Sequence, residues 1–378
     1  MKKWTAAVLA AALFLLTIPT AAAAEPPVTV NAPAALLMTL DGKVLFEKDA
    51  HTPREPASVT KVMTLLLVCE AIDSGRIKLE DPVTASAHAA SMGGSQVWLE
   101  EGEVLTVEEM LKCVAVVSAN DCAVALGEHL AGSEEGFVAM MNQRAKELGM
   151  ENTNFVNACG LTADGHLTSA YDIGLMSAQL MGAHPWIAEY VTIWQDSIRG
   201  GASVLNNTNK LLKSYQGITG LKTGYTSTAG YCISATAERE GMPLIAVIMG
   251  GESSASRNGD AAALLNWGFA NFAAVTLGAD RPLLPLPVEM GKQDTVALEL
   301  AASAAQVLPR EGLSRLEKTL ELPEMVQAPV EKGQQIGQLV VTLDGQTVCQ
   351  VPVLAAEGVE RLNLWDVFQR FFECFFAV

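Results

Sequence analysis

The chain has 378 residues, half of them hydrophobic, and carries 42 acidic against 25 basic side chains for a net charge of −17. That length accommodates two domains with a sizeable core, and so acidic a field excludes binding along a nucleic-acid backbone, which calls for a basic surface. Seven cysteines, an odd number without a C-x-x-C pair, and five histidines in no H-x-H or H-E-x-x-H cluster point away from a disulfide framework and from a metal site.

Residues 1–24 read as a secretory signal peptide: Lys2 and Lys3 precede an apolar stretch over residues 6–18, and Ala22 and Ala24 form an A-x-A cleavage site. The expected mature protein is exported. It opens with two alternating runs, AALLMTL and KVLFEKD, joined by Asp41-Gly42, which predicts a β-hairpin with a tight turn. A helix is expected from Thr60 to Ser74, closed by Gly75. Thr106 and Glu109 form a capping box ahead of MLKCVAVV, and Ser133 caps FVAMMNQRAKEL before Gly149, so the middle of the chain reads as mainly helical. After Gly220 the pattern changes to LKTGYT, GYCISATA and PLIAVIMGG, strands of an antiparallel sheet, followed by ALLNWGFANFA as a helix. Cys69, Cys113, Cys122 and Cys232 fall inside these apolar runs and are read as free core thiols.

From Ala273 onward, short alternating pieces such as TVALEL and QLVVTLDGQTVCQVPV, separated by Pro and Gly, indicate a small all-β domain. The expected division is therefore a leader at 1–24, a main domain at 25–272, a β domain at 273–360 and a terminal helix at 361–378. In that helix Trp365, Phe368, Phe371, Phe372, Phe375 and Phe376 fall within an arc of roughly 140° at about 100° per residue. Asp366, Gln369, Arg370 and Glu373 occupy the other side. Such a helix either packs on the β domain or lies in a membrane surface as a peripheral contact, and the second reading is preferred.

Three short strings carry chemistry. Ser58 and Lys61, in PREPASVTK, stand three apart at the start of the first predicted helix, where Ser58 is either a helix cap or a nucleophile. Residues at that spacing share a helix face, so the Lys61 amine can meet the Ser58 hydroxyl, and free N–H groups at the helix start are placed to hold an oxyanion. Ser118-Ala119-Asn120 sits in a break between two helices, and Lys222-Thr223-Gly224 begins a strand. Each string alone reads equally well as loop, cap or strand end. Together, in the order S-x-x-K, S-x-N, K-T-G, they form the signature of penicillin-binding proteins and serine β-lactamases.

REPASVTKVMT, SMGGSQ, SAND, GLTADGHLTSAYD, LKTGYT and LLNWGF resemble the D-alanyl-D-alanine carboxypeptidases among the low-molecular-mass penicillin-binding proteins. The resemblance covers roughly residues 30 to 272, and more loosely the β domain. It implies an α/β (α+β) fold of the β-lactamase/transpeptidase type, with an antiparallel sheet, a helical subdomain and the C-terminal all-β domain. It implies that Ser58 attacks the carbonyl between the two terminal D-alanines of a peptidoglycan stem pentapeptide, with no cofactor. Lys61 would be the base, its pKa lowered by burial and by Lys222; Ser118 would pass the proton to the leaving amine; Asn120 would hold Lys61 and the substrate amide. Lys222 and Thr223 would face the terminal carboxylate, with Arg257 near it. Gly224 would let the substrate backbone approach, and the N–H groups of Ser58 and Tyr225 would form the oxyanion hole. β-Lactams would acylate the same serine. His166 is expected to tie a loop beside the site, and Asp172 to belong to a helix start at Ser169.

A class A β-lactamase also needs the glutamate of an E-x-x-L-N segment for deacylation, but Leu205-Asn206 and Leu265-Asn266 have Ala202 and Ala262 in its place. A D,D-endopeptidase remains the nearest alternative. The resemblance and the terminal helix together place the enzyme at the outer face of the cytoplasmic membrane.

Overall fold

A computed structural model describes residues 28–276, 282–301 and 306–376; the expected leader lies outside them. Five antiparallel strands form the central sheet, in the order Val44–Lys48, Ala34–Thr39, Met242–Gly251, Gly230–Arg239, Ile218–Thr226. The last of these is an edge strand, and it carries Lys222, Thr223 and Gly224. The first hairpin turns at Gly42, whose φ of +88° suits a residue without a Cβ.

Both faces of the sheet are covered. Ala34, Leu36 and Met38 face the helical side, whereas Ala35 and Leu37 face a long helix, Ser254–Asn271, on the other. At the centre of the helical side runs the helix Lys61–Asp73, enclosed from Lys61 to Cys69 and apolar all round, the pattern of a buried helix rather than an amphipathic one. Around it lie Val107–Val116, capped by the Thr106/Glu109 box, then Asn120–Ala131, Glu134–Glu147 capped by Ser133, and Ala170–Ala183 capped by Ser169. Cys69, Cys113, Cys122, Cys159 and Cys232 are buried free thiols.

The structure corrects two local expectations. The helix expected at ALLNWGFANFA begins nine residues earlier, at Ser254, with Ser253 accepting from the Ser256 N–H at 3.0 Å. Its buried face includes Arg257 and Asp260, polar residues that conceal the helical period. The expected helical middle also contains a hairpin, Gln195–Ile198 with Ser203–Asn206, whose strands have little apolar alternation.

Beyond the long helix, Phe272–Val275 pairs with Gln306–Pro309. Val307 packs into the sheet core, its carbonyl accepts from Lys43 Nζ at 2.9 Å, and Arg310 pairs with Glu240. A four-stranded sheet and a three-stranded sheet, each with its own small core, make up the all-β part. A helix at Leu364–Phe376 ends the described chain. Its Arg370 donates to Asp294 at 2.8 Å and to the Lys292 carbonyl at 2.6 Å, while Leu364, Trp365 and Phe368 are 92%, 67% and 53% exposed. The polar side holds the β domain and the aromatic side faces outward.

Candidate active site

Ser58 lies in a 3-10 turn, Ala57–Thr60, that runs directly into the central helix. It is not a helix cap: no side chain caps the turn, and the Ser58 hydroxyl instead meets Lys61 Nζ at 3.0 Å. Ala57 has φ +48°, so the serine is presented from a backbone conformation that L-residues seldom adopt. Two close approaches hold the turn. A Cβ on Gly160 would stand 1.9 Å from the Ala57 carbonyl oxygen, and one on Gly224 would stand 2.9 Å from the Ser58 nitrogen. Glycine is needed at both places because backbone lies where a side chain would go.

Lys61 is 0% exposed. Its Nζ has three neighbours at bonding distance: Ser58 Oγ at 3.0 Å, Asn120 Oδ1 at 2.6 Å and the Cys159 carbonyl oxygen at 2.7 Å. Burial lowers its pKa from 10.5 to about 8, against the opposing pull of Cys159 and Asp121. The geometry then fixes where the lone pair of the neutral amine points. The Asn120 and Cys159 oxygens can only accept, so they take the two amine hydrogens; the hydroxyl of Ser58 is the one neighbour able to donate.

Asn120 is the first residue of its helix and uses both ends of its amide, accepting from Lys61 and donating to the Gly93 carbonyl at 2.6 Å. Its N–H donates to the Ser95 carbonyl at 2.7 Å, so the SMGGSQ segment clamps it from above. Next to it Asp121, fully buried, accepts from the N–H groups of Val97 and Leu99 and fixes the rest of that segment. Ser118, two residues before Asn120, adopts φ +64°, and its buried hydroxyl has no hydrogen-bond partner among the described residues.

Lys222 is buried, with Nζ donating to the Thr223 carbonyl at 2.9 Å. Its pKa falls well below the usual lysine value through burial, then through repulsion by Lys61 and Arg257. Burial is the leading cause at both lysines, and the Lys222 contribution expected at Lys61 is not among the effects found there. Thr223 Oγ1 lies 2.7 Å from Thr208 Oγ1. Arg257 is buried on the long helix; it donates to Asn258 Oδ1 at 2.9 and 3.0 Å and pairs with no carboxylate among the described residues. Burial lowers its pKa as well. Tyr225 is exposed and stacks 4.3 Å from Tyr231.

The structure therefore gathers Ser58, Lys61 and Asn120 into one bonded group, sets Gly224 against it, and leaves Lys222 and Arg257 as buried cations that repel one another. The sequence did not point to the Cys159 carbonyl, Thr208 or Asp121. A carbonyl can come from any residue and leaves no mark in a sequence.

Similarity to known proteins identifies the family. A family model described as D-alanyl-D-alanine carboxypeptidase matches residues 20–253, and one described as the C-terminal domain of penicillin-binding protein 5 matches residues 276–361. The D-alanyl-D-alanine carboxypeptidase DacF of Bacillus subtilis is 39% identical over 347 residues, 90% of this chain and 89% of that protein. The chain belongs to the D-alanyl-D-alanine carboxypeptidase family. Among solved structures of penicillin-binding proteins, that of penicillin-binding protein 5 from Haemophilus influenzae is 31% identical with a TM-score of 0.76, covering 88% of this chain and 98% of that one. Penicillin-binding protein D2 of Listeria monocytogenes, in its ampicillin-bound form, is 33% identical with a TM-score of 0.59 over 64% of this chain and 98% of that one.

In this carboxypeptidase-family chain His166 ties the Gly160 loop to the nucleophile turn. Its Nδ1 accepts from the Val156 N–H at 3.0 Å, which leaves the proton on Nε2, 2.8 Å from Thr60 Oγ1; that hydroxyl in turn donates to the Ala57 carbonyl. Asp172 belongs to the start of its helix, where its N–H donates to Ser169 Oγ and its carboxylate accepts from Asn152 N and Thr153 Oγ1. Burial lowers the His166 pKa from 6.5 to about 4. With the folded value below the unfolded one, the unfolded chain binds more protons between those values. The neutral imidazole's contribution is therefore complete above pH 6.5 and is lost as pH falls toward 4. From pH 4 to 6.5 the unfolding free energy is expected to rise by up to about 3 kcal/mol more in the wild type than in His166→Gln. Urea unfolding at several pH values checks it, and parallel slopes for the two proteins would refute it.

Proposed function

We propose that the protein is a serine-type D,D-carboxypeptidase that removes the terminal D-alanine from peptidoglycan stem pentapeptides through an acyl-enzyme on Ser58. The observation that carries the reading is the buried Lys61 Nζ, 3.0 Å from the Ser58 hydroxyl and flanked by two oxygens that only accept, which in the neutral amine leaves the lone pair for that hydroxyl. Lys61 takes the hydroxyl proton as Ser58 Oγ bonds to the carbonyl carbon between the two D-alanines. The resulting oxyanion is held by the N–H groups of Ser58 and Tyr225. As the carbon–nitrogen bond breaks, the proton passes from Lys61 through Ser118 to the leaving D-alanine amine. Water then attacks the ester, Lys61 accepts its proton, and the proton returns to Ser58 Oγ as the acid departs.

Lys222, Thr223 and Arg257 receive the terminal carboxylate. An arriving anion offsets the repulsion from Lys61 and Arg257 that helps to lower the Lys222 pKa, and so favours the charged form of this lysine. Gly224 lets the substrate backbone lie along the open edge of the Ile218–Thr226 strand. β-Lactams acylate Ser58 by the same steps. Among the described residues no carboxylate hydrogen-bonds to Ser58 or Lys61, and the carboxylate of Asp121 is taken up by backbone N–H groups, which favours a long-lived adduct over β-lactamase turnover.

Export by the leader and a peripheral membrane contact through the terminal helix complete the reading. Among the described residues no helix is long and apolar enough to cross a membrane. The outward aromatic side of Leu364–Phe376 suits insertion into the outer leaflet of the cytoplasmic membrane, driven by apolar burial rather than charge.

Intact mass after benzylpenicillin treatment should show one stable adduct on the wild type and none on Ser58→Ala. Lys61→Arg should lose acylation, because a guanidinium is not deprotonated, whereas Lys222→Arg, keeping its charge, should retain measurable labelling. Identical behaviour of the two arginine variants would contradict the division of roles. Truncation after Glu360 should release the mature enzyme from neutral phosphatidylcholine liposomes while it still cleaves a soluble tripeptide, and 1 M salt (~3 Å Debye length) should leave the full chain bound. Release by salt alone would contradict insertion.

A further inference from the structure

A cavity of about 640 Å³ opens beyond the end of the Lys222 strand, lined by Arg54, Glu55, Tyr225, Ser227 and Thr228 among others. Ser58 is not part of its wall. It shares Tyr225 with the candidate site, and Glu55 stands three residues before the nucleophile.

Two adjacent charged residues in this wall are left uncommitted to each other. The Arg54 backbone is fixed, its N–H donating to the Thr168 carbonyl at 2.7 Å and its carbonyl accepting from the Thr168 N–H at 2.9 Å. Its guanidinium makes no ion pair and no hydrogen bond among the described residues, and the residue is half-buried in the cavity wall, so its charge is not neutralised by the protein there. Glu55 is held in place without being neutralised: one carboxylate oxygen accepts from Thr228 Oγ1 at 2.5 Å and from Thr162 Oγ1 at 3.2 Å. Glu252, exposed, adds a second carboxylate at the rim. Arg54 and Glu55 share the cavity wall with Tyr225, the residue after Gly224 on the same strand.

Given the carboxypeptidase reading, a substrate lying along this strand edge places its cleaved carbonyl at Ser58, next to Gly224. The preceding stem residue then falls one step further along, about 3.5 Å on, toward Thr226 and Ser227. Its side chain is directed to the cavity mouth. We infer that this cavity reads the side chain of the third stem residue and favours one bearing both an ammonium and a carboxylate, such as 2,6-diaminoheptanedioic acid, over lysine. Glu55 takes the ammonium, as it would for lysine. Arg54 takes the carboxylate, which lysine lacks, by charge-assisted hydrogen bonds.

The test uses the mature full chain and Nα-acetyl-X-D-Ala-D-Ala tripeptides in which X is the free diamino diacid, the same residue with its side-chain carboxylate amidated, or L-lysine, with Nα,Nε-diacetyl-L-lysine as a reference. The wild type should show kcat/KM for the free diacid about tenfold above the amidated and lysine substrates, the effect of one charge-assisted contact. Arg54→Gln should bring those three within about twofold, and Glu55→Gln should lower all three relative to the diacetylated reference, which has no side-chain ammonium. Penicillin labelling reports whether each variant folds; should Arg54→Gln fail to label, Arg54→Lys tests the same contact with a single donor and should give an intermediate ratio. Equal rates for the three substrates in the wild type, or a diacid preference that survives loss of the Arg54 guanidinium, would overturn the assignment. Failure to cleave the diacetylated reference would instead overturn the carboxypeptidase reading itself.

Discussion

Complete burial of Lys61 is the constraint on which the rest of the molecule depends. An ammonium enclosed in protein is costly, and the group responds by giving up its proton more readily, so that the pKa falls to about 8, as the proposed role of base requires. Burial alone would also allow an inert lysine. What directs this one is the identity of its neighbours, two oxygens that only accept and one hydroxyl that can donate. The central helix can bury its first residue because it is apolar on every side, and the nucleophile turn can sit at its head because Gly160 and Gly224 leave room for backbone on both flanks.

Around that base the protein collects positive charge at considerable expense. Lys61, Lys222 and Arg257 are all buried, and neither Lys222 nor Arg257 pairs with a carboxylate among the described residues. Burial disfavours the charged form of each group, and on the proposed reading an anionic ligand would offset that cost. A substrate ending in a free carboxylate meets that requirement, and a chain continuing past the cleaved bond does not. On the proposed reading, a preference for a terminal D-alanine follows from these buried basic groups. Ser118, with its strained backbone and unpartnered hydroxyl, fits the same pattern of groups arranged for an occupant.

Much of this was legible in the sequence where the signal is local. The Asp41-Gly42 hairpin, the Thr106/Glu109 box and the Ser133 cap depend on residues a few positions apart, and the three motifs name side chains whose chemistry is distinctive. What stayed hidden was hidden for physical reasons. Arg257 and Asp260 occupy the buried face of the long helix, so its period does not read as hydrophobic, and the helix was expected to begin only at Ala263. Ser58 reads as a cap because serine serves in both roles, and only tertiary contacts separate them. The Cys159 carbonyl, one of the two acceptors that orient the base, is a backbone atom without residue identity. That both lysines are lowered chiefly by burial depends on enclosure that no spacing encodes.

The most direct test of Lys61 as a neutral base is the pH dependence of the second-order rate of penicillin acylation, measured on the free enzyme between pH 5 and 11 (roughly three units either side of the lowered value). The rate should climb along a limb with an apparent pKa near 8, the value that burial gives Lys61. A rate independent of pH across that range, or a limb displaced to the ordinary lysine value of about 10.4, would contradict the account.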